Sequence, residues 1–134
     1  MADRADLGIL DTSVVIDILK IDPGLLPRRV AISAITLAEL SAGPAATQDP
    51  DERARRQDRL QRVEATFEAL PLDAEVARAY GRIFAAVATQ GRSTRRRFAD
   101  LLLASAALAA GVPLVTRNGA DFAGLGDLVD IIVV

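Results

Sequence analysis

The sequence predicts an α/β fold, a three-layer sandwich whose mostly parallel central sheet is flanked by helices. Three observations carry that expectation. Short runs rich in Val, Ile and Leu alternate with longer helical stretches. Gly, Pro, Asp or a hydroxyl residue punctuates the joins. The runs also lie far enough apart for the helical crossovers that parallel strands need, and such crossovers are right-handed. With 134 residues, 51% of them hydrophobic, the chain is expected to fill one core and form a single domain over 1–134.

Leu7–Leu10 reads as a buried strand ending at Asp11, with Thr12 and Ser13 as N-cap residues for a helix from Val14 to Lys20. Pro23, Gly24 and Pro27 mark a loop before a second strand, Val30–Ser33. Ala34–Ala42 is helical by composition and stops at Gly43-Pro44, and Gln48–Pro50 is a connection. Asp51–Leu70 reads as an amphipathic helix with five acids balanced by five arginines, followed by a brief strand at Pro71-Leu72. A further helix runs from Asp73 to about Gln90 and ends at Gly91. Arg92–Arg97 is an exposed basic connection, Phe98–Ala110 an Ala/Leu-rich helix closed by Gly111, and Pro113–Thr116 the next strand. A turn or short helix over Asn118–Leu125 and a terminal strand over Asp130–Val134 complete the pattern.

Two zeros narrow the chemistry: the chain has no cysteine and no histidine. Disulfides, thiolate nucleophiles, imidazole bases and Cys- or His-ligated metals are excluded, and with them the Ser-His-Asp triad. A Ser-Lys substitute would have to use Lys20, the only lysine. Sixteen basic and eighteen acidic residues give a net charge of −2, which excludes a polycation that coats nucleic acid without selectivity. The arginine bias among the basic residues suits carboxylate or phosphate recognition, and equally reflects a GC-rich coding sequence. The charged N-terminus, the short first apolar run and the lack of an apolar stretch near the roughly 18 residues of a membrane span lead us to expect a cytoplasmic protein.

Ligands of open parallel sheets bind beyond the carboxyl ends of the strands. Four acids lie where such a site would form: Asp11 after the first strand, Glu39 in the helix after the second, Asp100 in the first turn of the most apolar helix, and Asp121 after a later strand. Taken singly, Asp11 serves equally as a helix cap, Asp100 as an anion favoured by the helix dipole, and Asp121 as a turn residue. Glu39, among Ile35, Leu37, Ala38 and Leu40, is costly to bury without a partner unless its helix turns that face to solvent. Brought together, four carboxylates repel one another, and a divalent cation resolves the conflict. An all-oxygen donor set points to Mg²⁺ or Mn²⁺, which can polarise a phosphoryl oxygen and supply hydroxide without an imidazole.

Four segments carry a resemblance to a known family. Leu10-Asp-Thr-Ser-Val-Val-Ile16, Ile35-Thr-Leu-Ala-Glu-Leu40 with Gly43, Asp100-Leu-Leu-Leu-Ala-Ser-Ala106, and Thr116-Arg-Asn-Gly-Ala-Asp-Phe122 stand in order at intervals that resemble the PIN-domain ribonucleases, and within them the VapC-type toxins of toxin–antitoxin pairs. The resemblance implies that Asp11, Glu39, Asp100 and Asp121 form an acidic site holding one or two Mg²⁺ ions for RNA phosphodiester hydrolysis. It also implies supporting roles for Ser13, Thr116 and Asn118, a homodimer, and a VapB-type antitoxin that blocks the cleft. Asn118 serves equally as a helix or turn cap, and Asp17 projects from another part of the first helix and stays outside the set. Arg92, Arg95, Arg96 and Arg97 are candidate RNA contacts, with a solvated loop as the alternative. The mixed-charge helices between Asp51 and Gln90 are a candidate interface.

Two other readings compete. One is a noncatalytic RNA- or antitoxin-binding module that retains an acidic cleft. The other is a Mg²⁺-dependent phosphatase with Asp11 as nucleophile, although the second aspartate such a motif places two residues later is here Ser13.

Overall fold

Five parallel strands, in the order β3-β2-β1-β4-β5, form one sheet in the computed structural model, which describes residues 4–134. Residues 1–3, part of the charged start noted above, lie outside the described residues. The strands are β1 (Leu7–Leu10), β2 (Arg29–Ser33), β3 (Ala69–Leu70), β4 (Leu114–Thr116) and β5 (Ile131–Val133). Both faces are buried, so the strands read as continuous apolar runs. Ile9 and Leu114 belong to one core cluster, while their neighbours Leu10 and Val115 belong to the other.

The helices divide accordingly. On one face α4 (Ala74–Thr89) buries a stripe of Val76, Ala79, Ile83 and Val87, packed with α5 (Phe98–Ala110). Residues 101–107 of α5 are all buried, as expected for a helix that is apolar all round. Its Ser105 resolves the burial of a hydroxyl by donating to the Leu101 carbonyl at 2.6 Å. Gly111, at φ 67°, lets the chain leave α5 in the left-handed conformation, and Val112 N–H closes onto the Ala107 carbonyl. On the other face lie Val14 and Val15 of α1 (Thr12–Ile16) and Val63 of α3 (Pro50–Thr66), while α2 (Ala34–Ala42) follows β2 directly, capped by Ser33.

The structure corrects three sequence expectations. The first helix stops at Ile16 and is followed by a 3₁₀ turn, Ile18–Lys20. Thr12 and Ser13 are its first helical residues rather than its caps, because their hydroxyls bond side chains of the acidic edge instead. The long charged helix ends at Thr66, and the strand expected at Pro71-Leu72 lies at Ala69–Leu70. Pairing decides the latter: Ile32 N–H donates to the Glu68 carbonyl at 3.0 Å and Ser33 sits opposite Leu70. Among the described residues no helix is long and apolar enough to cross a membrane.

The order of strands positions the site. From β1 the chain moves outward to β2 and β3, then returns to place β4 on the other side of β1. The direction of winding reverses between β1 and β4, and the crevice at their carboxyl ends is where such sheets bind ligands.

Candidate active site

Asp11 leaves β1 at this reversal point and Thr116 ends β4 beside it. Asp11 is 6% exposed, and its Oδ2 accepts hydrogen bonds from Thr116 Oγ1 at 2.7 Å and Ser13 Oγ at 2.9 Å. Each hydroxyl is oriented in turn by backbone: Asn118 N–H donates to Thr116 Oγ1, and Arg117 N–H to Ser13 Oγ. Both hydroxyl protons are therefore aimed at one carboxylate oxygen. Asn118 contributes its peptide N–H, and its side chain does not cap the turn that follows.

Replacing Thr116 with Val keeps the shape and removes one of the two donors. A hydrogen bond to a buried carboxylate contributes about 1.5–3 kcal/mol, so Thr116→Val is expected to lower the unfolding free energy by that amount in urea titrations of the metal-free protein.

Glu39 reaches the same edge from α2. The fold resolves the expected burial problem by leaving Glu39 exposed, with Thr12 Oγ1 donating to its Oε1 at 2.7 Å. Thr12 Oγ1 also lies 3.0 Å from the fully buried Thr36 Oγ1. A hydroxyl has one proton, so Thr36 donates to Thr12 and Thr12 to Glu39. The roles of Thr12 and Thr36 were missed in the sequence. The available signal was that Thr36 and Glu39 are three residues apart on one helix face.

Asp100 and Asp121 complete the group. Asp100 lies in the first turn of α5, and Asp121 in a 3₁₀ turn, Gly119–Phe122, anchored by the buried Phe122. Burial pushes the Asp100 carboxyl up from 3.8 to about 6, and the charges of Asp11, Asp121 and Glu39 push the same way, against the opposing Arg97 guanidinium. The three other acids are thus close enough to oppose the ionisation of Asp100. Among the described residues, however, no three acids already converge into a metal cage. The donor set fits a hard divalent cation that keeps part of its water shell, since such an ion is held through few direct carboxylates. Asp17 stays outside the group, paired with Arg117 at 3.1 Å.

The arginine run divides. Arg92 donates to the Ala120 and Ala123 carbonyls and Arg97 to the Asp121 carbonyl, so these two serve the protein's own backbone, whereas Arg95 and Arg96 are exposed. A cleft of about 460 Å³ lies among Arg92, Ser93, Arg96, Arg97, Asp100 and Asp121.

Fold and site define a class: an α/β sandwich with carboxylates near the reversal point of a parallel sheet, where Asp11 and Glu39 accept from hydroxyls. Residues 8–128 match the PIN domain, and the chain belongs to the PIN-domain family. It is 39% identical over 128 residues to Ribonuclease VapC5 of Mycobacterium tuberculosis, covering 93% of this chain and 92% of that protein. It is 31% identical over 130 residues to VapC ribonuclease Y4jK of Sinorhizobium fredii, covering 88% and 91%. The crystal structure of VapBC-5 from M. tuberculosis, a member of the VapBC family of toxin–antitoxin systems, matches with a TM-score of 0.85 and 40% identity over 96% of this chain and 99% of that one.

Proposed function

We propose that residues 1–134 act as a single PIN-like domain, a divalent-metal-dependent endoribonuclease and the toxin of a VapBC-type pair. One observation carries the reading: the charges of Asp11, Asp121 and Glu39 act together on the carboxyl of Asp100, and Asp11 is held by two hydroxyls. The relation to Ribonuclease VapC5 supports the same activity.

Asp11, Glu39, Asp100 and Asp121 would hold one or two Mg²⁺ ions, with Mn²⁺ as a substitute. When bound, the ion supplies a hydroxide near neutral pH and offsets charge on the phosphate. Ser13 and Thr116 fix Asp11 through Oδ2, and neither hydroxyl occupies Oδ1. Thr36 and Thr12 fix the rotamer of Glu39. Arg95 and Arg96 attract the RNA backbone toward an otherwise negative cleft.

The partner is a VapB-type antitoxin. An apolar groove of about 410 Å³ between the turn at Ile18–Lys20 and α3 has Lys20, Arg59 and Arg62 on its rim, a surface that suits an acidic amphipathic segment of such a partner. Tyr80, Phe84 and Phe98 form an aromatic group with Phe84 and Phe98 exposed, which supports a homodimer. RNA as substrate and a VapB-type antitoxin as partner fit a cytoplasmic location.

The test is Mg²⁺-dependent cleavage of total RNA by purified wild type, Asp11→Asn and Asp100→Asn. The wild type is expected to cleave and both variants to lose activity. Cleavage unchanged in the variants would remove the acidic site from the reaction. A wild type that binds RNA or antitoxin and cleaves nothing would support the noncatalytic reading.

A further inference from the structure

We propose that Gln90, Arg92 and Arg97 are positioning residues: they clasp the turn that carries Asp121 and thereby set the placement of that carboxylate. The proposal rests on the nuclease reading above and deepens it.

The segment joining α4 to α5 runs beside the turn that follows β4. Gln90 Nε2 donates to the Gly124 carbonyl at 3.2 Å. Arg92 spans two carbonyls, Nη1 reaching Ala123 at 2.9 Å and Nη2 reaching Ala120 at 3.2 Å. Arg97 Nη1 donates to the carbonyl of Asp121 itself at 2.7 Å. Of the five consecutive carbonyls from Ala120 to Gly124, four are thus held by side chains from one distant loop.

The turn is shaped to receive this clasp. Gly124 has φ +86°, and a Cβ there would lie 2.2 Å from both Nε2 and Oε1 of Gln90. The backbone conformation favours glycine, and a side chain there would displace the Gln90 amide. The turn itself is a single 3₁₀ segment, Gly119–Phe122, whose internal bonding gives it little rigidity of its own. Phe122 holds it from the core and the clasp holds it from outside, with Asp121 between.

This arrangement separates positioning from substrate binding. Arg92 and Arg97 direct N–H groups at carbonyls of the turn, whereas Arg95 and Arg96 are exposed. Arg92 matches its pair of carbonyls through a planar fork that lysine lacks.

The experiment compares Arg92→Ala, Arg92→Lys and Gly124→Ala with wild type, and uses Arg96→Ala as the phosphate-contact comparator. Mn²⁺ binding is read by electron paramagnetic resonance on the metal alone, RNA binding by its salt dependence, and the metal-free fold by thermal melting. Loss of groups that orient ligands weakens metal binding about 10–100-fold. Arg92→Ala, Arg92→Lys and Gly124→Ala are each expected to weaken Mn²⁺ binding by about 10-fold, with cleavage recovered at high Mn²⁺ and the salt slope of RNA binding unchanged. Arg96→Ala is expected to do the reverse, lowering the salt slope by about 1 at unchanged Mn²⁺ affinity.

If Arg92→Lys binds Mn²⁺ as wild type does, the clasp is overturned. The same holds if Arg92→Ala lowers the salt slope while Gly124→Ala leaves Mn²⁺ affinity intact. A lower melting temperature with unaltered Mn²⁺ affinity in the folded fraction marks a merely structural role and also overturns it. A wild type that neither binds Mn²⁺ nor cleaves RNA removes the nuclease reading together with the clasp, whereas an active wild type with identical variants removes the clasp alone.

Discussion

Replacing Asp100 with asparagine is expected to raise the melting temperature of the metal-free protein at neutral pH and to abolish Mg²⁺-dependent RNA cleavage. Two effects at this position oppose each other. An anion in the first turn of a helix gains about 0.3–1 kcal/mol from the dipole, and Arg97 adds to it. Burial and the charges of Asp11, Asp121 and Glu39 act against ionisation and win, because the Asp100 carboxyl ends up raised to about 6. A folded-state value above the unfolded one means that the stability contribution is fully present below the unfolded value near 3.8 and is lost as pH rises through about 6. Asparagine does not ionise, so its advantage over the wild type should be smallest near the bottom of that window and reach a plateau above the top. Calorimetry across this range, on both proteins without metal, checks the sign. Mg²⁺ or Mn²⁺ should then raise the wild-type melting temperature and narrow the gap, since a ligand of the folded state stabilises it. Loss of a proposed metal ligand should reduce cleavage by at least about 100-fold, the upper end of what removal of an orienting partner costs. A variant less stable than wild type at neutral pH would show that the dipole and Arg97 dominate instead.

Phe122→Ala is expected to be the most destabilising single change near the site. Phe122 is 2% exposed and belongs to the cluster formed with α4 and α5. Truncating a buried phenylalanine costs about 3–5 kcal/mol, a large share of the roughly 5–15 kcal/mol that holds a domain of this kind together. The urea midpoint should fall accordingly, with Phe122→Leu much milder. Because Phe122 adjoins Asp121, Mn²⁺ affinity should fall with it. A change of under about 1 kcal/mol would mean that the core closes over the missing ring.

Most of the fold was legible because its signals are local. The strand at Leu7–Leu10 ends at an acid, α5 ends at a glycine that takes a left-handed conformation, and each apolar run is short. Where the sequence misled, the deciding interaction was distant. Thr66-Phe-Glu-Ala-Leu70 contains no helix breaker, and only its pairing with β2 makes it leave the helix and become an edge strand. The four acids were legible as candidates because Asp11 and Asp121 come after strands, Asp100 lies in the first turn of a helix and Glu39 interrupts an apolar one. The division of the arginines was not, since Arg92 and Arg95 differ only in whether a carbonyl some thirty residues downstream happens to face them. Glu39 shows a third kind of limit: apolar neighbours in sequence suggested burial, whereas its side of α2 faces solvent and the Thr12 hydroxyl.

The reversal of strand order between β1 and β4 also governs when the protein acquires its chemistry during synthesis. Asp11 is among the first folded residues to be made, but its two hydroxyl partners include Thr116, and Asp121 follows later still. An emerging chain can extend through β1, β2 and β3 and still lack Asp100, Asp121 and the Thr116 hydroxyl that supports Asp11. The bond from Thr116 to Asp11 needs β4 in place beside β1. On the proposed site, a fragment that ends before Asp121 is therefore expected to leave RNA uncut.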